Sequence, residues 1–290
     1  MKILVTGYPG LLSADLVPIL RADHEVIPLS IQDLDITRKE EVFKKIETLR
    51  PELVINCAGY TAVDQAEKDW EGAFRVNALG VQYLALACRR LQVILCHIST
   101  DYVFDGQSNQ PYQPWDLPNP ISVYGASKRA GEFLVERLLD RYYIVRSSSL
   151  YGNHGNNFVQ AIINKAEQGD SISIVSDQVM SPTWSINLSQ GISKLIQSGN
   201  YGVYHLTDQT NEGISWYDFG KAVLKAKGLP NKILPLTGRE LNRPAPRPAY
   251  SVLDTRFLTL ATGYQPPLWE EALEQFLAGQ ELLDRGSKNP

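Results

Sequence analysis

Short apolar runs alternate with amphipathic stretches through the first half of the chain. Between residues 11 and 21, for example, the apolar side chains recur at the spacing of one helical face. Strands that alternate with helices in this way are typical of a parallel sheet covered by helices on both faces. The predicted strands are 2–6, 24–29, 52–57, 92–98 and 142–146, and the predicted helices are 11–21, 38–49, 66–90 and 124–140.

The regular alternation ends near residue 147, after which Gly, Pro and Ser become more frequent. The stretch 241–251, LNRPAPRPAYS, is predicted to be extended, because each proline moves the residue before it out of the helical region. We therefore predict an α/β protein. A Rossmann-type, doubly wound parallel sheet would occupy residues 1–148, with a return of the chain near 184–208, and a smaller C-terminal lobe, mainly substrate-binding, would occupy 149–290.

Composition and charge exclude several classes of partner. The chain has 290 residues, 43% of them hydrophobic, which is enough for a large core. The net charge of -4 gives no indication of nucleic acid or a membrane surface as a partner. Neither a signal peptide nor a run long enough to span a bilayer is visible, so a cytoplasmic protein is expected. The cysteines Cys57, Cys88 and Cys96 form no CxxC pair and are predicted to be buried free thiols, and the histidines show no metal-ligand spacing.

The first predicted strand leads into a glycine-containing turn, TGYPGLLS. Such a turn between strand and helix lets backbone N–H groups approach the pyrophosphate of a dinucleotide. Gly7 and Gly10 take the first two glycine positions. Ser13 stands at the third, where we expect slightly looser packing of helix on strand, and Pro18 is expected to bend the helix. An ordinary strand-to-helix turn would explain two glycines equally well.

The end of the second predicted strand, Leu29-Ser30-Ile31, bears on the choice of cofactor. It carries neither an acidic residue that would hold the ribose hydroxyls nor a basic residue that would hold a 2′-phosphate. The sequence therefore does not choose between NADH and NADPH. Asp35 could lie beside the adenine or could cap a helix.

Tyr124 and Lys128 are four residues apart and would share one face of a helix. A nearby cation favours the phenolate and would draw the tyrosine pKa down from about 10 toward a range useful for proton transfer. Thr100, at the end of the fourth predicted strand, could hydrogen-bond a reacting carbonyl. Tyr217 and Lys221 have the same spacing but belong to the C-terminal lobe, and we interpret them as an ordinary helix face.

Three motifs together, TGxxG, STDYVFDG (99–106) and VYGASKRAGE (123–132), resemble the extended short-chain dehydrogenase/reductase superfamily. Within it, the chain resembles the dTDP-4-dehydrorhamnose reductase family over essentially its whole length, in the blocks NCAGYTAVDQAE (56–67), DQVMSPTW (177–184) and RPAYSVLD (247–254). The resemblance implies NADH- or NADPH-dependent reduction of the C4 ketone of a nucleotide-linked 4-keto-6-deoxy sugar, in deoxysugar biosynthesis of the dTDP-L-rhamnose type. A homodimer is the assembly to be considered.

Matching motifs give individual residues their implied roles. Tyr124 would protonate the C4 oxygen, Lys128 would assist it and hold the ribose, and Thr100 would orient the carbonyl. Asn77 would support the site. The other expected cofactor contacts are Gly7, Gly10, Leu11, Leu12, Asp35, Ile36, Ala58, Gly59, Tyr60 and Thr61. The other expected substrate contacts are Val63, Asp101, Tyr102, Ser149, Asn157 and Arg247, the last of them gripping the pyrophosphate of the substrate.

Three positions depart from the family pattern: Ser13 and Met180 replace glycines, and Ser149 replaces a tryptophan that would wall the pocket. Two alternatives therefore stay open. One is a cofactor-binding regulatory protein that resembles the β subunit of methionine adenosyltransferase. The other is a nucleotide-sugar epimerase or dehydratase of the same superfamily. A dehydratase would need an acidic pair after Thr100, and only Asp101 is present, which favours simple reduction.

Overall fold

A six-stranded parallel sheet forms the centre of the protein in the computed structural model, which describes residues 1–169, 171–229 and 233–286, the last six of these as backbone only. The strands are β1 Lys2–Thr6, β2 Glu25–Leu29, β3 Leu53–Asn56, β4 Ile94–Thr100, β5 Tyr142–Ser147 and β10 Gly202–His205. Their order in the sheet, β10-β5-β4-β3-β1-β2, is that of a doubly wound sheet.

Helices cover both faces of this sheet, and each face has its own apolar core. On one face α1 and α8 pack against each other and against strand side chains such as Val5, while α2, α5 and α6 lie on the other. This arrangement confirms the predicted fold class. The bounds are α1 Leu11–Arg21, α2 Lys39–Leu49, α5 Val81–Leu91, α6 Val123–Leu138, α8 Ser185–Ser198 and α11 Arg256–Thr262.

The single helix predicted over 66–90 is wrong in its first half. The chain instead forms α3 Val63–Ala66, α4 Trp70–Phe74 and a π-helical turn, Arg75–Gly80, before α5 begins. The carboxylate of Asp69 accepts a hydrogen bond from the Gly72 N–H at 3.0 Å and so starts a new helix. Helical periodicity of apolar residues could not reveal this cap.

The C-terminal lobe consists of short strand pairs and helices around a third apolar core. Met180 is 2% exposed within that core, so the side chain found in place of a family glycine fills apolar space there. The strands are β6 Leu150–Tyr151, β7 Ile172–Val175, β8 Val179–Met180, β9 Thr183–Trp184, β11 Ile214–Ser215 and β12 Ile233–Leu236. The helices are α7 Phe158–Glu167, α9 Trp216–Ala226, α10 Gly238–Leu241 and α12 Trp269–Gly286.

The chain passes between the two parts more than once. After β9 it returns to the sheet, where β10 pairs with β5 at the edge. The proline-rich segment after α10 is irregular, and Tyr250 bridges to Val179 of the lobe while Leu253 bridges to Tyr112 of the loop that follows β4. Within the described residues, no helix combines the length and the apolar character that crossing a membrane would require.

Candidate active site

A cleft of about 1140 Å³ opens at the carboxyl ends of the central strands and extends to the C-terminal lobe. Ligands collect at this edge of a parallel sheet because the loops of several strands converge there. The cleft brings together the predicted residues from seven separate stretches of the chain, 7–12, 35–36, 58–63, 100–102, 124–128, 149–157 and 247. Its lining includes Gly7, Gly10, Leu11, Leu12, Asp35, Ile36, Ala58, Gly59, Tyr60, Thr61, Val63, Thr100, Asp101, Tyr102, Tyr124, Lys128, Ser149, Asn157 and Arg247.

The two glycines of the turn are required by close backbone contacts. Gly7 has a φ of +75°, and a Cβ atom there would lie 2.6 Å from the backbone nitrogen of Ala58. A Cβ atom on Gly10 would lie 2.8 Å from the carbonyl oxygen of Gly7. The turn therefore brings β1, the start of α1 and the loop after β3 into direct contact.

Ser13 strengthens this turn, so the expectation of looser packing is wrong. Its side chain is fully buried. The Ser13 hydroxyl accepts a hydrogen bond from the Gly10 N–H at 2.9 Å and donates one to the Gly7 carbonyl oxygen at 2.8 Å. A glycine at this position could supply neither bond. Helix α1 continues past Pro18, which is exposed, as far as Arg21.

The start of α1 fits a dinucleotide pyrophosphate. The first N–H groups of a helix, here those of Leu11 and Leu12, have no carbonyl partner within the helix and carry partial positive charge. Both residues line the cleft. Asp35 also lines it, but its carboxylate accepts hydrogen bonds from the Thr37 N–H at 2.9 Å and the Thr37 hydroxyl at 2.7 Å, which makes it a cap of the local turn.

Asn77 holds the loop that follows β3. Its side-chain oxygen accepts from the Tyr60 N–H at 2.8 Å, and its amide donates to the Tyr60 carbonyl at 3.0 Å and to the Ser127 hydroxyl at 2.9 Å. Asn77 is 1% exposed and lies in the π-helical turn. The loop that includes Gly59 and Thr61 is thereby tied to α6, the helix that carries Tyr124.

Tyr124 and Lys128 both face the cleft from α6. The Lys128 ammonium donates a hydrogen bond of 2.6 Å to the carbonyl oxygen of Ile98, and burial lowers the pKa of Lys128 to about 8. Burial raises the pKa of Tyr124, and a hydrogen bond with Thr100 lowers it only in part. The lowered tyrosine pKa expected from the four-residue spacing is therefore wrong for this structure, because burial outweighs the other effects.

Thr100 lies at the carboxyl end of β4, beside Tyr124. Its hydroxyl donates to the Asp101 carboxylate at 3.0 Å and accepts from the Tyr102 N–H at 3.2 Å. The rings of Tyr102 and Tyr124 meet edge to face, with centroids 5.7 Å apart. Asp101 is only 3% exposed, and its carboxylate also accepts from the Ser148 hydroxyl at 2.8 Å. The buried carboxylate thus faces hydroxyl groups, and Asp101 lines the cleft in which it was predicted to flank the sugar.

Of three further predicted substrate contacts, Asn157 serves the local backbone, whereas Ser149 and Val63 lie at the cleft. The side-chain oxygen of Asn157 accepts from the Gln160 N–H at 3.1 Å and its amide donates to the Gly152 carbonyl at 2.8 Å, because Asn157 is the N-cap of α7. Ser149 lines the cleft with a left-handed φ of 48°. Val63 opens α3 at the edge of the cleft.

Arg247 is engaged by a residue that sequence reasoning missed. Its guanidinium donates to both carboxylate oxygens of Asp64, each at 3.0 Å, and to the carbonyl oxygen of Ala245 at 3.0 Å. Most of its donors are therefore already used. Arg243, also missed, lies 3.8 Å from the Asp64 carboxylate, and its side chain is 51% exposed at the cleft. The sequence feature that points to Arg243 is its position in the same proline-rich segment as Arg247.

The remaining predictions concern the second tyrosine–lysine pair, the cysteines and metal binding. Lys221 lies over the ring of Tyr217 on the exposed face of α9, and neither residue lines the cleft. All three cysteines are free, with Cys88 and Cys96 buried as predicted and Cys57 only partly so. The described residues hold no group of three or more His, Cys, Asp or Glu that could bind a metal ion.

Comparisons with known proteins agree with this arrangement. The family described as "RmlD substrate binding domain" matches residues 1–281. A dTDP-4-dehydrorhamnose reductase of Aggregatibacter actinomycetemcomitans is 38% identical over 97% of this chain and 99% of its own. The spore coat polysaccharide biosynthesis protein SpsK of Bacillus subtilis is 40% identical over 95% of this chain and 96% of its own.

Among solved structures, dTDP-4-dehydrorhamnose reductase of Bacillus anthracis in complex with NADP superposes with a TM-score of 0.93. It is 38% identical, and the match covers 96% of this chain and 99% of that one. Sequence and fold therefore agree, and the chain belongs to the dTDP-4-dehydrorhamnose reductase family.

Proposed function

We propose that the protein reduces the C4 ketone of a dTDP-linked 4-keto-6-deoxy sugar, with NADH or NADPH as reductant, in the biosynthesis of a deoxysugar. The observation that carries this proposal is the hydrogen bond between Tyr124 and Thr100 at the carboxyl end of β4. Both residues line the cleft that also includes the glycine turn. Two of the similar proteins, those of Aggregatibacter actinomycetemcomitans and Bacillus anthracis, are named dTDP-4-dehydrorhamnose reductase, which supports the same chemistry here.

The cofactor end of the cleft is built from the turn and the loop after β3. Backbone N–H groups of Leu11 and Leu12 would hold the pyrophosphate, and Ala58 to Thr61 would border the cofactor. Lys128, one helical turn beyond Tyr124, would hold the nicotinamide ribose. The bound cofactor would supply the hydride.

Tyr124 supplies the proton in this proposal. Its raised pKa keeps the phenol protonated at neutral pH, so it can donate to the oxygen on which negative charge develops. Thr100 orients that oxygen by a hydrogen bond. Tyr102 forms a wall beside Tyr124, and Ser149, much smaller than tryptophan, leaves extra room around the sugar.

The nucleotide end of the substrate would lie toward the C-terminal lobe. Phe158 and Trp216, with ring centroids 4.6 Å apart, line the cleft there. Arg243 offers an exposed guanidinium that suits a diphosphate, while Arg247 is held in place by Asp64. The cytoplasmic location and homodimeric assembly expected from the sequence belong to this proposal as well.

The decisive experiment measures oxidation of NADH and NADPH by the purified protein. The substrates are dTDP-linked 4-keto-6-deoxy sugars and, as controls, their UDP- and GDP-linked counterparts. We expect turnover that depends on the keto sugar and is fastest with the dTDP-linked form. Tight cofactor binding without turnover of any keto sugar would instead support the regulatory alternative. Ser13 no longer favours that alternative, because its hydrogen bonds show an intact turn, which both functions would need.

A further inference from the structure

A continuous path of hydrogen-bonding groups leads away from Tyr124 into the protein. The Tyr124 hydroxyl interacts with the Thr100 hydroxyl, which donates to Asp101 at 3.0 Å. The other oxygen of the Asp101 carboxyl accepts from the Ser148 hydroxyl at 2.8 Å. Ser148 lies 3.3 Å, oxygen to oxygen, from the hydroxyl of Ser149, which lines the cleft. The path therefore returns to the cleft.

The hydrogen-bonding capacity of Thr100 depends on the state of Asp101. A hydroxyl has one donor and two acceptor sites. One acceptor site of Thr100 is used by the Tyr102 N–H. When Asp101 is ionised, the single donor of Thr100 must point at the carboxylate, and none remains for a ketone. When Asp101 is protonated, its O–H can donate to Thr100, and the Thr100 hydrogen becomes free to point at the ketone oxygen.

The surroundings of Asp101 favour the protonated form. The side chain is 3% exposed, and burial raises the pKa of Asp101 against the effect of hydrogen bonds from Ser251, Ser148 and Thr100. The titratable groups that face it are Tyr102, on its own segment, and Tyr124, from α6. Two cations, Arg247 and Arg243, act on the neighbouring Tyr102, and they lie 3.0 and 3.8 Å from the Asp64 carboxylate.

We propose that Asp101 is a proton-carrying positioning residue. It directs the Thr100 hydroxyl toward the ketone and returns a proton to Tyr124 after each turnover. This inference rests on the proposed reductase function. Asp101 acts only through Thr100, which separates its role from those of Thr100 and Tyr124.

One proton is passed along this path in each turnover. Tyr124 gives its proton to the oxygen of the ketone as the carbon is reduced, and the O–H bond of the phenol breaks. Once the alcohol product leaves, the Thr100 hydroxyl turns from the former ketone oxygen to the phenolate and gives it its proton, and Thr100 takes the proton of Asp101. The Asp101 carboxylate that remains regains a proton from solvent in the cleft by way of Ser149 and Ser148. Each group returns to its starting state, and one solvent proton is consumed per ketone reduced.

Asp101→Asn separates orientation from proton transfer. The amide can still donate a hydrogen bond to Thr100, but it carries no transferable proton. We expect kcat to fall by about tenfold or more, a modest share of the effect typical for general acids, with KM for the keto sugar nearly unchanged. In the wild type, kcat should decline as rising pH ionises Asp101, and this decline should be absent from the variant. Unchanged kcat and an unchanged pH profile would overturn the proposal.

Infrared difference spectroscopy provides a readout that needs no turnover. The spectrum of wild type minus Asp101→Asn at neutral pH should contain the carbonyl band of a protonated carboxyl group, and its absence would overturn the proposal. Should the variant not fold, Ser148→Ala serves instead. Loss of the Ser148 donor should raise both the pH at which that band disappears and the pH at which kcat declines. Unchanged values would count against the relay.

Ser147→Ala is the matched control for Ser148→Ala. The Ser147 hydroxyl is buried one residue away and has no hydrogen-bond partner among the described residues. It should leave the band and the pH profile unchanged. A wild-type protein that shows the band but reduces no keto sugar would contradict the proposed function and not the protonation of Asp101, so the two failures are distinguishable.

Discussion

The hydroxyl of Ser13 donates a 2.8 Å hydrogen bond to the carbonyl oxygen of Gly7, across the turn that begins the cofactor end of the cleft. The same hydroxyl accepts from the Gly10 N–H. One side chain thus joins both glycines of the turn. A position that departs from the family's glycine pattern therefore has a physical purpose, which is to fix the backbone that would face a pyrophosphate.

Ser13→Ala should weaken cofactor binding. The substitution removes both hydrogen bonds in a fully buried position and should lower the free energy of unfolding by about 1–3 kcal/mol. If about 1 kcal/mol of this loss is expressed as weaker cofactor binding, Kd for NADH and NADPH rises about fivefold. Fluorescence titration measures the Kd values. Ser189→Ala is the control, since Ser189 is equally buried on α8 and donates to the Ser185 carbonyl at 2.7 Å. Equal cofactor affinity in both variants would contradict the proposed part of Ser13.

Tyr124→Phe should remove proton donation while leaving the cleft intact. We expect kcat for the keto sugar to fall by about a hundredfold or more, as is typical for loss of a general acid, with cofactor affinity preserved. Tyr217→Phe provides the control, because Tyr217 has the same spacing to a lysine but lies outside the cleft. Steady-state kinetics of both variants tests the assignment, and a Tyr124→Phe enzyme with full activity would refute it.

Sequence patterns predicted the sheet because each central strand is an apolar run bounded by polar residues. They also located Thr100, Tyr124 and Lys128, since these follow strand ends or share a helical face. Patterns could not show the pairing of Asp64 with Arg247, two residues 183 positions apart whose contact depends on the tertiary fold. Nor could they show that burial would raise the pKa of Tyr124, because burial is a property of the packed structure.

Three of the sequence blocks that carry the resemblance, 99–106, 177–184 and 247–254, have a shared structural basis that became visible only in the fold. The block 247–254 lies between the other two: Tyr250 bridges to Val179 of the block 177–184, and Ser251 hydrogen-bonds Asp101 of the block 99–106. The blocks that identify the family are therefore in contact with one another. Their joint presence reflects one packed region beside Tyr124, and a single sequence gives no sign of that contact.

Lys128→Met should stabilise the protein while impairing catalysis. Burial lowers the pKa of Lys128 from 10.5 to about 8, so the unfolded chain holds this proton more tightly. The charged group then costs stability at every pH below about 8, and the cost declines as pH rises from about 8 to 10.5. Methionine removes the cost, which should raise the free energy of unfolding at pH 7 by on the order of 1–3 kcal/mol, less the lost bond to Ile98.

The gain from Lys128→Met should shrink above pH 8, because the wild type then becomes more stable. Denaturant unfolding at pH 7 and pH 9.5 measures both values. Lys221→Met, at an exposed position on α9, should change stability by less than about 0.5 kcal/mol. A Lys128→Met protein that is less stable than the wild type at pH 7, or equally stabilised at both pH values, would contradict this electrostatic account.

Arg243→Gln should weaken binding of the nucleotide diphosphate. Loss of a charge-assisted hydrogen bond of about 1.5–3 kcal/mol corresponds to a rise in KM for the sugar nucleotide of about tenfold or more, with kcat nearly unchanged. Competitive inhibition by dTDP should weaken equally, while inhibition by thymidine should not change. Arg239→Gln is the control, since Arg239 is exposed four residues earlier and does not line the cleft. Equal inhibition constants for dTDP in both variants would remove Arg243 from the proposed site.

Gly106→Ala should be far more harmful than alanine at another glycine with a left-handed backbone. Gly106 has a φ of +80°, and a Cβ atom there would lie 2.5 Å from both the Ala249 nitrogen and the Pro248 Cα. Gly199, with a φ of +71°, has open space around the same position. Both substitutions place a side chain on a left-handed backbone, at a cost of about 1–2 kcal/mol. Only Gly106→Ala must also displace the 247–251 segment, at a further cost of about 1–3 kcal/mol. Because that segment carries Arg247, Gly106→Ala should also lower activity in the protein that remains folded. Unfolding curves and steady-state kinetics of the two variants test this, and equal losses would show that the contact between Gly106 and Pro248 does not hold the segment against the site.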